Sequence, residues 1–299
     1  MGGVTVTRAR RLVTGTLTGF AVIGALASGL TPLIAEPAPA AARAETTRTV
    51  YFSAVDANGA PVRDLTAADM TVKEGGKDRA VASLAAATAP VQVFILVDDA
   101  GTGGFRSTVS QFIGATLGHA EYAISMLTPQ PLTLTTFTSD LANLNAAVAK
   151  LVQRGRVEPD GEQLVEAVAS AAKSLQQRKA SRPVILVLTN NGEPGLSEGA
   201  DRILLAVKDS GASLNVVYVT RIPTGKVLED GPKSSGGLAI SAGSVDAVND
   251  AVRKIAANLM QQYVLTYTLP DGTKPNEKLQ LTTTRKGAKL IAPARIPDK

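Results

Sequence analysis

The chain has 299 residues, 44% apolar and 19% charged, a mixture that suits one medium or two small globular domains. It has 0 cysteines and one histidine, His119, which excludes disulfides, thiolate zinc sites, iron–sulfur clusters, cysteine nucleophiles and multi-histidine metal centres. Residues 1–44 carry four of the 31 bases and one of the 26 acids, so the remaining 27 bases against 25 acids give a net of only +2, too little to attract nucleic acid.

Arg8, Arg10 and Arg11 precede an uncharged run from Leu12 to Ala35, and a Pro/Ala stretch then ends in Ala42-Arg43-Ala44. A positive start, an apolar run and a small-x-small ending predict a signal peptide over residues 1–44. The body of the protein is then periplasmic, on the cell surface or secreted. Left uncleaved, the same run is long enough to anchor the chain in a bilayer. The Arg10-Arg11 pair hints at twin-arginine export, although Val13 and Thr14 are poor matches to the residues such a signal needs next.

Residues 45–88 read as a small β-rich lead-in. Thr49 to Val55 is rich in β-formers and is followed by the turn sequence Asp56-Ala57-Asn58-Gly59. Met70–Glu74 and Ala80–Leu84 predict two more strands around Gly75-Gly76. So short a segment cannot build a large core of its own and is expected to lean on residues later in the chain.

Residues 89–270 alternate strand and helix. Val91 to Val97 is a near-continuous apolar run ending in Asp98-Asp99, as a buried central strand requires. Phe105, Val109, Phe112, Ile113 and Leu117 recur at helical spacing. Tyr122–Leu127 and Leu132–Phe137 are separated only by Thr128-Pro129-Gln130-Pro131, a link too short for a helical crossover, so that pair is antiparallel. Ser139 or Asp140 caps a helix with Leu141, Leu144, Val148, Leu151 and Val152 on one face. The next helix buries Leu164, Val165, Val168, Ala172 and Leu175. Pro183–Leu188 is a second apolar strand, Ile203, Leu204 and Val207 mark a helix closed by Gly211, and Leu214–Val219 is another strand. Val245, Val248, Val252, Ile255 and Leu259 form a helix capped by Ser244, and Tyr263–Tyr267 is a further strand. Residues 271–299 form a short β tail. The pattern predicts an α/β fold, a doubly wound, mostly parallel sheet with one antiparallel edge strand and helices on both faces.

Ligands of such sheets bind beyond the carboxyl ends of the strands, which selects the loops Asp98-Asp99-Ala100-Gly101-Thr102, Glu158–Glu162 and Asn190-Asn191-Gly192-Glu193. A strand ending in Asp-x-Ser-x-Ser and a later one ending in Thr-Asp-Gly mark the von Willebrand factor A domain, and this chain resembles that family in these two loops. The run Gly59-Ala60-Pro61-Val62, with Leu65, Asp69, Met70, Val72, Glu74 and Gly76, and the Phe137-Thr138-Ser139-Asp140 element, resemble exported bacterial proteins of the same family. The resemblance spans residues 48 to 292 and implies a divalent cation, magnesium or a similar ion, held by carboxylate and hydroxyl oxygens and completed by an acidic residue of a protein partner. Here Asp98 matches the first position, Ala100 replaces the first Ser, Thr102 replaces the second, and Asn191 stands where the later Asp would be. The resemblance therefore implies a degenerate site of Asp98, Asp99, Thr102 and Asn191, with Asp99 and Glu162 as substitute carboxylates. Metal-independent recognition of a protein partner would use Asp98, Asp99, Thr102, Glu162, Asn191 and Glu193.

Gly195-Leu196-Ser197-Glu198-Gly199 fits a nucleophile elbow, but Ser197 is separated from its strand by Asn190–Pro194 and His119 lies upstream, whereas the mechanism needs a later histidine. Ser197 reads better as a helix cap. Ser170-Ala171-Ala172-Lys173 fits Ser-x-x-Lys without its companion motifs and reads as scaffold. Arg178, Lys179 and Arg182 read as a solvated helix end that suits the dipole. The expectation is an exported recognition or adhesion protein of the cell envelope and not an enzyme. The alternatives are a hydrolase using Ser197, or a structural envelope component without a dedicated ligand.

Overall fold

The structure, a computed structural model, describes Gly2 and residues 46–155, 161–191, 199–219 and 225–298; the expected signal peptide lies outside the described residues. The lead-in supplies β1 (Thr46–Val55), a 3-10 turn (Ala67–Asp69), β2 (Met70–Glu74), β3 (Lys77–Arg79) and β4 (Val81–Ala86). Then come β5 (Val91–Asp98), α1 (Arg106–Thr116), β6 (Ala120–Met126), β7 (Leu132–Thr138), α2 (Leu141–Ala149) and α3 (Gly161–Gln177). The second half continues with β8 (Pro183–Thr189), α4 (Ala200–Ser210), β9 (Ser213–Val219), α5 (Lys226–Ser235), β10 (Ala239–Ala242) and α6 (Val245–Met260). The chain closes with β11 (Tyr263–Leu269), β12 (Leu279–Thr283) and β13 (Lys289–Ile291).

Six strands form one sheet in the order β10-β9-β8-β5-β6-β7, parallel throughout except for β7, which runs antiparallel to β6 at the edge. Counted from β5, this is the 3-2-1-4-5-6 order of a doubly wound sheet with the third strand reversed. β5 alternates its side chains between two cores, as a strand buried on both faces must. Val93, Ile95 and Val97 pack with Phe112, Leu144 and Val252 from α1, α2 and α6. Leu96 packs with Leu164, Val168, Ile203 and Leu228 from α3, α4 and α5.

The predicted stripes hold where helix geometry continues and fail at its ends. Phe105, Val109, Phe112 and Ile113 are buried, but Leu117 is 46% exposed, because α1 stops at Thr116 and Leu117 is already extended. Leu144, Val148 and Leu151 are buried, whereas Leu141 at the start of α2 and Val152, beyond its end at Ala149, are exposed. Asp140 caps α2 by accepting from the Ala142 N–H at 3.1 Å, and Ser244 caps α6 through the Ala247 N–H at 3.2 Å. Gly211 closes α4 in the left-handed region at φ 68°.

The other sheets are built from both ends of the chain. β1 pairs with β11 and β13, β4 with β11, and β2 with β3 and β12, all antiparallel. Val50, Phe52, Met70, Val72, Leu265, Tyr267 and Leu279 share a single core. β11 lies outside the six-stranded sheet, and β13 and β12 pair with β1 and β2 of the lead-in. The physical reason is area, since neither 46–86 nor 279–296 has enough apolar surface alone.

Arg182 joins the two layers and is not the solvated cation expected. It is 4% exposed, donates to the Ala89 carbonyl at 2.6 Å, the Leu259 carbonyl at 2.7 Å and Gln262 Oε1 at 2.9 Å, and lies over the Tyr51 ring. Among the described residues no helix is long and apolar enough to cross a membrane.

Candidate functional site

The winding of the sheet reverses between β5 and β8, and such a switch point opens a crevice at the carboxyl ends of the two strands. Asp98 ends β5 in register with Thr189, which ends β8. The first polar residues after two apolar runs therefore arrive side by side. Asp98 is 4% exposed and Asn191 5%, so their polar groups must find partners in the protein. The Thr189 hydroxyl lies 2.8 Å from Asp98 Oδ2; Asn191 Nδ2 donates to Asp98 Oδ1 at 2.7 Å, and the Thr128 hydroxyl adds a longer contact to Oδ1 at 3.3 Å. Burial pushes the Asp98 carboxyl above its ordinary range with help from the neighbouring Asp99 charge, while the three donors pull it back.

Asp99 opens a tight turn. Its carbonyl accepts from the Thr102 N–H at 3.1 Å and its carboxylate from the Gly101 N–H at 3.0 Å. Ala100 and Gly101 both have positive φ, 53° and 76°, as a mirror-image turn requires. Gly103 comes next but one at φ 72°, and a Cβ there would stand 2.8 Å from the Gln153 backbone nitrogen, so only glycine fits. Asn190 then reaches across from the β8 loop, donating from Nδ2 to the Asp99 carbonyl at 3.0 Å. The two loops form one surface.

Of the residues named from sequence, Asp98, Asp99 and Asn191 meet here but are buried, and Thr102 is exposed at the rim with its hydroxyl 2.9 Å from the Asp99 carbonyl. Glu162 belongs to α3, and its side chain lies outside what the structure describes, as do Glu193 and Ser197 altogether. The cap of α4 is Gly199, not Ser197. Ser170 and Lys173 sit on the exposed side of α3. Sequence reasoning missed Thr128 and Thr189 and named Asn190 only as part of its loop; the available signal was that Thr128 and Thr189 each follow directly on a largely apolar strand segment.

These residues do not fit the cation that the resemblance implies. Magnesium wants hard oxygens in octahedral geometry, yet Asn191 turns its amide nitrogen to Asp98, Ala100 offers no donor, and the Thr102 hydroxyl is committed to a backbone carbonyl. Among the described residues no group of three or more His, Cys, Asp or Glu could hold a metal.

No protein-family model matches the sequence, and no curated protein matches it. Solved structures similar to it include the VWA domain of SpRpn10 (14% identity, covering 55% of this chain and 94% of that one, TM-score 0.43). A von Willebrand factor type A structure from Catenulispora acidiphila is 10% identical and covers 83% of this chain and 72% of its own, with TM-score 0.43. BatB from Bacteroides thetaiotaomicron is 13% identical, covering 56% and 98%, with TM-score 0.41. The six-stranded layer is a doubly wound α/β sheet with a reversed third strand and the Asp98 loop at its switch point, an arrangement similar to that of these von Willebrand factor type A structures.

Proposed function

We propose that this chain is an exported binding protein, without catalytic activity, that recognises or adheres to another protein at the cell envelope through the surface formed by the β5 and β8 loops. The observation that carries the reading is the Asn190 bridge to the Asp99 carbonyl, which joins two loops from distant parts of the sequence into one surface with Thr102 exposed at its rim. The arginine-led apolar run before residue 45 supports export. Recognition is metal-independent, because the residues that would hold a cation are already paired with one another.

The test is capture of partners from an envelope extract by the full chain, in chelator, against Thr102→Arg. Thr102 is exposed, so the variant is expected to fold, and its melting temperature against wild type checks that it does. A partner whose affinity drops at least about tenfold with Thr102→Arg, which sets a long charged side chain into the surface, supports the reading; a partner retained equally well by the variant contradicts it. Steady turnover of an ester or peptide that Ser197→Ala abolishes would replace the reading with the hydrolase.

A further inference from the structure

The tie between the two loops can be read atom by atom. Asn191 Nδ2 donates to Asp98 Oδ1 at 2.7 Å, the direction that an ionised carboxylate requires because it only accepts hydrogen bonds. Asn191 is held there from behind, since its own N–H donates to the Thr189 hydroxyl at 2.9 Å. That hydroxyl has one proton and two acceptors in reach, Asp98 Oδ2 at 2.8 Å and the Asn191 carbonyl at 2.9 Å, of which a carboxylate is the stronger. Two uncharged donors thus hydrogen-bond the Asp98 carboxylate from the β8 side, at the place where the resemblance implies a positive ion.

We propose that the Asn191 amide substitutes for the divalent cation as the tie between the tips of β5 and β8, so that the binding surface is permanently assembled and blind to metal. The inference deepens the recognition reading and rests on it only for the purpose of the surface. Its consequence is specific to this chain. Asn191→Asp replaces a donor with an acceptor-only group facing Asp98, beside the Asp99 carboxylate, and three close carboxylates need a cation or protons between them. A single substitution converts a metal-blind lock into a metal-dependent one.

The experiment is thermal unfolding of the full chain in chelator and in millimolar magnesium or manganese at matched ionic strength. Wild type is expected to melt at the same temperature in all conditions. Asn191→Asp is expected to melt lower than wild type in chelator and to rise by about 5–10 °C with cation, the shift that saturating binding gives a chain of this size. Ala100→Ser, which restores a hydroxyl but keeps the amide, is expected to show no response. The proposal is overturned if wild type or Ala100→Ser is stabilised by cation. It fails equally if Asn191→Asp matches wild type in chelator, or stays unfolded or unresponsive when cation is added. None of these readouts involves a partner, so loss of partner capture leaves this proposal standing, and its failure leaves the recognition surface standing.

Discussion

Asp98 shows how much one position owes to its surroundings. The sequence places a carboxylate at the end of an apolar strand, and that is enough to predict its location. Its donors are a different matter. Thr189 lies 91 residues away and Asn191 93, and only the register of β5 on β8 brings them near. The same burial gives a stability signature. The folded state binds the Asp98 proton more tightly than the unfolded chain does, so this group's contribution is fully present below its ordinary range and is lost as pH rises toward the raised value. The stability advantage of wild type over Asp98→Asn should therefore shrink as pH climbs upward from about 4, the ordinary carboxylate value, and then level off. Melting temperatures of both proteins across that range check it; an advantage that grows with pH would mean that the donors outweigh burial.

At the scale of elements, strands with one dominant character were readable and short mixed elements were not. β5 and β8 announce themselves by apolar runs and α3 by its stripe. α5 and β10 went unforeseen. α5 contains Gly231 and Pro232, both poor helix interiors, and β10 spans only four residues. What holds them is a close approach: a Cβ on Gly237, the residue before Leu238 and β10, would lie 1.9 Å from the Leu214 carbonyl oxygen. Gly237 also donates to the Pro232 carbonyl at 2.9 Å. Gly237→Ala is expected to cost about 3 kcal/mol or more by forcing β9 and α5 apart, measurable by denaturant titration. A loss under about 0.5 kcal/mol, the range of an ordinary surface change, would show that the backbone yields there.

For the whole molecule, the sequence conveys the doubly wound layer and the dependence of the lead-in on later residues, but not which residues those are. β11 continues straight from α6, and nothing local says that it pairs with β1 and β4 instead of joining the parallel sheet. Arg182 carries the same lesson. Its position after a helix suggests solvent, yet it is enclosed by groups from before β5, the end of α6, the start of β11 and β1, and three oxygens take the place of an acidic partner. Burial of a guanidinium on neutral acceptors ties both layers to one residue.

In the proposed lock, the Asp98–Asn191 contact ties the tips of β5 and β8 with no need of a cation. A double-mutant cycle of Asp98→Ala and Asn191→Ala, read by denaturant titration in chelator, measures that contact directly. The predicted coupling is about 1.5–3 kcal/mol, the worth of a buried hydrogen bond to a charged group, and it is unchanged by added magnesium. Coupling near zero in chelator, or coupling that emerges only with magnesium, would contradict it.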